Sequence, residues 1–260
     1  MAAIPFLLIK ILIGAVIGIL IGLSGLGGGV VLLPTLMFGL GVSPLIAVGS
    51  TAAINAFTKL GAGFVHWRRR TVDWCLVGAL LLGSLPGTFL GVQILAQLRS
   101  RYGTEVNTFL REFVGVILVL VPLLLVLQGL VERRFQIVRH SPQHMFKQVC
   151  VLGFISGILV GVSSVGAGTV IMTVLLITVD CPPPVLVGTD IIHAVGLMSF
   201  TGFLHLRMGT VDPSLVFPLL FGSIPGSLLG VRFSTLLPGR WLKSLLCVIV
   251  FVTGARMLWI

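Results

Sequence analysis

The chain has 260 residues, of which 57% are hydrophobic and only 9% charged, and its mean hydropathy is +1.17. Soluble domains carry roughly a quarter charged residues, so the composition excludes an ordinary soluble protein and places the chain in lipid. The net charge of +10 does not indicate nucleic acid: Arg68, Arg69, Arg70, Arg133, Arg134, Arg139 and Lys147 fall in short breaks between apolar runs, as in the cytoplasmic loops of membrane proteins.

About 20 apolar residues suffice to cross a bilayer core. Runs of this kind are predicted as helices at 6–22, 45–65, 74–95, 113–131, 146–162, 185–204, 213–231 and 241–260, with shorter apolar pieces at 30–41 and 169–179. The expected fold is all-α integral membrane, with about eight hydrophobic helices and two half-helices. The first run is not read as a cleaved signal, because it lacks a basic start, Lys10 interrupts it and no small-x-small site follows. Cys75, Cys150, Cys181 and Cys247 are scattered singly, a pattern of packing residues that offers no metal site. No cofactor is expected.

Between the first run and 30–41 stands GLSGLGGG, residues 22–29. A single helix over 6–41 would be roughly 54 Å long against a hydrocarbon core of about 30 Å, so the chain must bend back. The cluster Gly25, Gly27, Gly28 and Gly29 holds a helix poorly, at about 1 kcal/mol per glycine. An unwound stretch is therefore expected there, with a half-helix starting at Val30. Free N–H groups at such a start suit an anion, and Ser24 adds a hydroxyl. Gly14 and Gly18, by contrast, read as helix-packing residues.

Sliding the sequence by 139 positions aligns 22–92 with 161–231 without a gap, with roughly 27 of 71 positions identical. GLSGLGGG meets GVSSVGAG, GFVHWRRRTVD meets GFLHLRMGTVD, and GSLPGTFLGV meets GSIPGSLLGV. The chain reads as a duplication: a first membrane repeat over 1–131, a basic linker over 132–147 and a second repeat over 148–260, fused into one transmembrane domain. Each repeat contains four elements, the first of them broken. A hairpin plus three crossings per half inverts the second half. The loops near 66–73, 131–147 and 232–243 then share a side, with about ten Lys/Arg against roughly five opposite, a better fit to the positive-inside rule than parallel halves. Inverted repeats with broken helices are a recurrent transporter plan.

The second glycine stretch supplies Ser163, Ser164, Gly166 and Gly168 as counterparts of the first. The following helices carry polar groups: Ser50, Thr51, Asn55 and Lys59 in the first half, Thr189, Asp190 and His193 in the second. Asp190, about six residues into a membrane helix, is costly unless paired, neutral or hydrated. With His193 three residues on, it suits a proton relay, a substrate contact or a polar network. Lys59 belongs to the same network or reaches toward headgroups. His66, Arg68 and Asp73, with their repeats His205, Arg207 and Asp212, sit where one helix ends and the next begins. There the aspartates suit N-caps, with the arginines paired to them, and gating at a pathway mouth is the other reading. Pro86 and Pro225 interrupt the GSLPG and GSIPG helices, as kinks or as packing devices.

The glycine stretches, together with VGSTAAINAFTKLGAGFVHWRRRTVDW, GSLPGTFLG and their second-half versions, resemble the sulfite exporter TauE/SafE family, over almost the whole chain. The resemblance implies a bacterial inner-membrane transporter of sulfite, sulfonates such as sulfoacetate, or related small sulfur anions. Gly25 to Gly29 and Ser163 to Gly168 match the family's glycine signatures, and Gly49-Ser50-Thr51 and Gly188-Thr189-Asp190 its Gly-Thr-Ser-like turns; substrate contacts are expected among these residues and at Asn55. Asp190 stands where the family commonly has a hydroxyl. The expected partners are a small anionic substrate and membrane lipid, without nucleic acid; a homo-oligomer is compatible. A passive anion channel and a membrane-embedded enzyme are the alternatives. Against an enzyme, the sequence shows no HExxH, no paired intramembrane aspartates and no nucleophile beside a base.

Overall fold

The computed structural model describes residues 3–24, 28–134, 141–233 and 239–259. Ten α-helices are found among them: α1 Ala3–Ser24, α2 Gly28–Pro34, α3 Pro44–Arg68, α4 Trp74–Tyr102, α5 Val106–Arg134, α6 Phe146–Ser163, α7 Ala167–Thr178, α8 Pro183–Arg207, α9 Pro213–Phe233 and α10 Gly239–Trp259. A π-helical turn at Thr35–Gly39 prolongs α2, and a 3-10 turn at Gly103–Glu105 separates α4 from α5. Five stretches are long and apolar enough to cross a membrane, one of them spanning α4 and much of α5. The protein is an all-α integral membrane protein. Its outward surface is correspondingly apolar: Leu82, Phe217 and Phe221 are among the large side chains left exposed, a cost that lipid removes.

Several helices differ from the sequence expectation. The half-helix expected from Val30 starts at Gly28, and its counterpart starts at Ala167, so Gly28, Gly29 and Gly168 belong to first turns rather than to unwound chain. Tertiary contacts override the propensity penalty here, because Gly28 abuts the Asn55 amide and Gly29 the Ser164 carbonyl, where a side chain has no room. Pro86 and Pro225 likewise lie inside continuous helices. Their GSLPG and GSIPG segments therefore do not interrupt α4 and α9. They bring backbones together.

That contact is the main architectural device. Gly14, Gly18 and Gly22 of α1 face the carbonyls of Leu219, Ser223 and Ser227, while Gly222, Gly226 and Gly230 of α9 face those of Ile11, Ala15 and Ile19. The other pair repeats it, with Gly83, Gly87 and Gly91 of α4 against α6, and Gly153, Gly157 and Gly161 of α6 against α4. In lipid, helices associate by such close packing of small residues rather than by hydrophobic exclusion. Thr88 adds a hydroxyl bond to the Gly157 carbonyl at 3.0 Å. Gly18→Leu has no room against the Ser223 backbone and is expected to cost on the order of 1–3 kcal/mol or more. Thermal unfolding in detergent checks this; an unchanged midpoint would refute the contact.

The pairings are exchanged between the halves, α1 with α9 and α6 with α4. Both pairs run parallel, since the facing residues advance together along each. α3 and α8 cross the other way: Gly49 meets Thr210, Gly202 meets Ala53, Gly63 meets Ile192 and Gly188 meets Thr71. They are antiparallel.

Short polar bonds fasten the ends of this crossing. The amide of Asp212 donates to Ser50 Oγ at 3.1 Å, and that of Asp73 donates to Thr189 Oγ1 at 2.9 Å. The start of α3 is thereby tied to the start of α9, and the start of α8 to the start of α4. Lys10 Nζ donates to the Ser214 carbonyl at 3.1 Å, so α1 also begins where α9 begins. The α1–α2 hairpin thus enters and returns at one end of the molecule. The α6–α7 hairpin enters and returns at the end where α4 and α8 begin.

Candidate functional site

The tips of these two hairpins meet. A Cβ on Gly29 would lie 2.5 Å from the Ser164 carbonyl oxygen and 3.4 Å from both Val165 Cα and Asn55 Nδ2. Gly28 abuts Asn55 Oδ1, and Asn55 is near the middle of α3. On the other side a Cβ at Gly168 would stand 3.2 Å from Asp190 Oδ2. The chain turns into α7 through two left-handed residues, Ser164 at φ 55 and Gly166 at φ 93, a reversal for which glycine pays least.

Around the meeting point lies a set of buried polar atoms with no partner: Thr51 Oγ1, both amide atoms of Asn55, Ser164 Oγ, Asp190 Oδ1 and His193 Nδ1. Native proteins rarely leave such groups unpaired, since each costs about 1–3 kcal/mol. Here they come from α3, from α8 and from the turn between α6 and α7, the elements that meet at the hairpin tips. His193 Nε2 is 2.9 Å from Ser84 Oγ, which fixes the ring and leaves Nδ1 as the open atom. Lys59 lies within electrostatic reach of both Asp190 and His193. Of the three residues expected to form a polar network, Asp190 and His193 stand three residues apart on α8, and no hydrogen bond joins Lys59 of α3 to either.

Other expected site residues are placed differently. Gly25 and Gly27 lie outside the described residues; Ser24 ends α1. Ser50 and Thr189 are engaged in the helix-start bonds given above. Ser163 Oγ donates to the Leu159 carbonyl at 2.7 Å and receives the Val165 amide at 3.3 Å, so it shapes the turn. At the helix junctions, His66 and His205 each bond through Nδ1 to Thr71 and Thr210 at 2.9 Å. His205 Nε2 also reaches the Gly161 carbonyl at 3.1 Å. Asp73 Oδ1 caps α4 by accepting from Leu76, and Asp212 Oδ1 accepts from Ser214. The arginines do not close on these aspartates: the guanidiniums of Arg68 and Arg207 lie over Phe64 and Phe203, at 6.0 and 5.1 Å. In lipid-facing surroundings the ring face of the preceding turn is the nearer partner.

One contributor escaped the sequence reading. Ser84 was legible only as part of GSLPG, and the single available signal was a serine between a glycine and a helix-internal proline. Its bond to His193 depends on the α4–α8 packing, which no local pattern discloses.

A bundle of membrane helices in which two hairpins meet over unpartnered buried polar groups is a plan that membrane transporters use. The chain belongs to the TauE/SafE sulfite exporter family: its residues 10–259 match the family described as Sulfite exporter TauE/SafE. Among its relatives is the probable membrane transporter protein YjnA of Bacillus subtilis, 33% identical over 95% of this chain and 98% of that protein. YunE and YdhB of the same organism, also probable membrane transporter proteins, are 25% and 27% identical over 96% and 95% of this chain, covering 97% and 98% of those proteins. No solved structure matches the chain.

Proposed function

We propose that this protein is a secondary transporter of small sulfur-containing anions, sulfite or short sulfonates, which are held where the two hairpin tips meet. The observation that carries the reading is the group of unpartnered buried polar atoms on Thr51, Asn55, Ser164, Asp190 and His193. An oxyanion offers acceptors to the Asn55 amide and to the hydroxyls of Thr51 and Ser164. The positive end of α7, a helix of 12 residues, adds its field. The two halves are inverted repeats in this reading, which the antiparallel crossing of α3 with α8 supports, and each hairpin seals the chamber from one side. Transport follows by alternating exposure of the chamber, driven by protons or by the membrane potential.

Binding of sulfite, sulfate, thiosulfate and short sulfonates to the purified protein, followed by countertransport in proteoliposomes, tests the proposal. Saturable uptake that is stimulated by substrate on the far side is expected. Flux that never saturates would mean a channel, and chemical conversion without flux an enzyme. Topology has its own check: cysteines introduced at positions 70 and 207 are expected to label from opposite faces of the membrane, and labelling from one face overturns the inverted arrangement.

A further inference from the structure

The second half of the chain gives a control for the first, and at one place the two diverge in a telling way. The turn after α3 has Arg70 at φ 55; the matching turn after α8 has Gly209 at φ 70. Both adopt the left-handed conformation that glycine takes freely and a side chain resists. The second half uses the residue the backbone prefers. The first half uses arginine and accepts the strain, and a strained non-glycine residue of this kind points to a task for its side chain.

The surroundings of Arg70 indicate the task. Arg68, Arg70, Trp67, Val72 and Trp74 line an open cleft of about 560 Å³ at the junction of α3 and α4. Both indoles are more than half exposed, Trp67 at 56% and Trp74 at 58%. In the second half the aligned residues are Leu206 and Gly209, with Pro213 in place of Trp74, so indoles and arginine are present or absent together. Asp73, the nearest acid in sequence, is committed through Oδ1 to capping α4. The cleft's own lining is cationic and aromatic, without an acid, at the end of two membrane-spanning helices, the depth at which indoles settle among headgroups.

We propose that this cleft binds the phosphate headgroup of an anionic phospholipid, with Arg70 and Arg68 on the phosphate and Trp67 and Trp74 flanking the glycerol and upper acyl chains. Arginine pairs with phosphate through two parallel N–H bonds, and the run Arg68, Arg69, Arg70 adds attraction to an anionic leaflet. The site is separate from the hairpin chamber. It fastens the α3–α4 junction, and so the end of the helix that carries Asn55, to one leaflet.

The test uses the full-length protein in nanodiscs of mixed phosphatidylglycerol and phosphatidylcholine, examined by native mass spectrometry after gentle removal of lipid. Wild-type protein is expected to retain phosphatidylglycerol preferentially. Arg70→Gly, which installs the residue its counterpart tolerates, is expected to lower that retention about fivefold, and Arg68→Gln to act in the same direction. Brominated phosphatidylglycerol should quench Trp67 and Trp74 fluorescence more than the brominated phosphatidylcholine does, and a Trp74→Phe variant assigns the signal. Equal retention of the two lipids, or retention unaffected by Arg70→Gly in a protein of unchanged thermal stability, overturns the proposal. Displacement of the lipid by millimolar inorganic phosphate or sulfonate would overturn it too, assigning the cleft to free anions.

Discussion

Replacing Gly29 with leucine is expected to abolish anion binding while the protein still inserts into the membrane. The first carbon of the new side chain already falls 2.5 Å from the Ser164 carbonyl, and the remaining three would fill the gap between the hairpin tips. Gly28→Ala is the finer probe, because the nearest atoms to its single added carbon belong to the Asn55 amide and the end of Ile21, side chains rather than backbone. Asn55 must then turn away from the chamber. Losing one well-placed buried hydrogen bond costs on the order of 1–3 kcal/mol, which predicts roughly a tenfold to hundredfold loss of affinity. Isothermal titration with the best-bound anion measures it. Unchanged affinity in both variants would remove the hairpin tips from the binding site. Asn55→Ala should lose affinity to a similar degree without disturbing Gly28, which separates a lost contact from a distorted hairpin.

The contrast between Gly28 and Asn55 also shows what the sequence could and could not disclose. The existence of each helix was legible, because apolar runs and their breaks follow directly from bilayer thickness. The two bends were legible as well, since a continuous helix over 6–41 does not fit a membrane. What Gly28 touches was not. Its neighbour Asn55 is 27 positions away and meets it only after α2 folds back along α3, and the alignment gives Asn55 no polar counterpart, since Ala194 takes its place. Ser50 and Thr189 illustrate the opposite problem. Their hydroxyls sit one residue before Thr51 and Asp190, so local pattern assigns all four to one site. One residue along a helix is a turn of about 100°, and it carries Ser50 and Thr189 to the amides that begin α9 and α4. Gly14 and Gly18 on α1 were visible as helix packing, but the matching glycine rows on α4, α6 and α9 and the choice of partner across the two halves required the structure.

Asp190→Asn is expected to flatten the pH dependence of binding and transport. Asp190 occupies the position that Thr51 has in the first half, and Gly168, in the first turn of α7, packs against its carboxylate. A charged carboxylate there would be a tethered anion beside the proposed substrate position. Two like unit charges about 6 Å apart, at an effective dielectric of about 20, repel by roughly 3 kcal/mol, or about a hundredfold in affinity. The sign follows: protonation of Asp190 favours the anion, so wild-type affinity falls as pH rises through its titration. Asparagine is neutral throughout and should bind with the affinity of the low-pH wild type at every pH. Lys59 of α3 acts on this carboxylate electrostatically, and His193 stands three residues along the same helix, held by Ser84 of α4. Lys59→Met should steepen the penalty, because it removes a positive charge that offsets Asp190. The transport consequence is distinct from the binding one. If the proton that neutralises Asp190 travels with the anion, Asp190→Asn still exchanges substrate across the membrane but no longer accumulates it against a proton gradient. Accumulation that persists with an unaltered pH profile would take the proton role away from Asp190 and leave the membrane potential as the driving force.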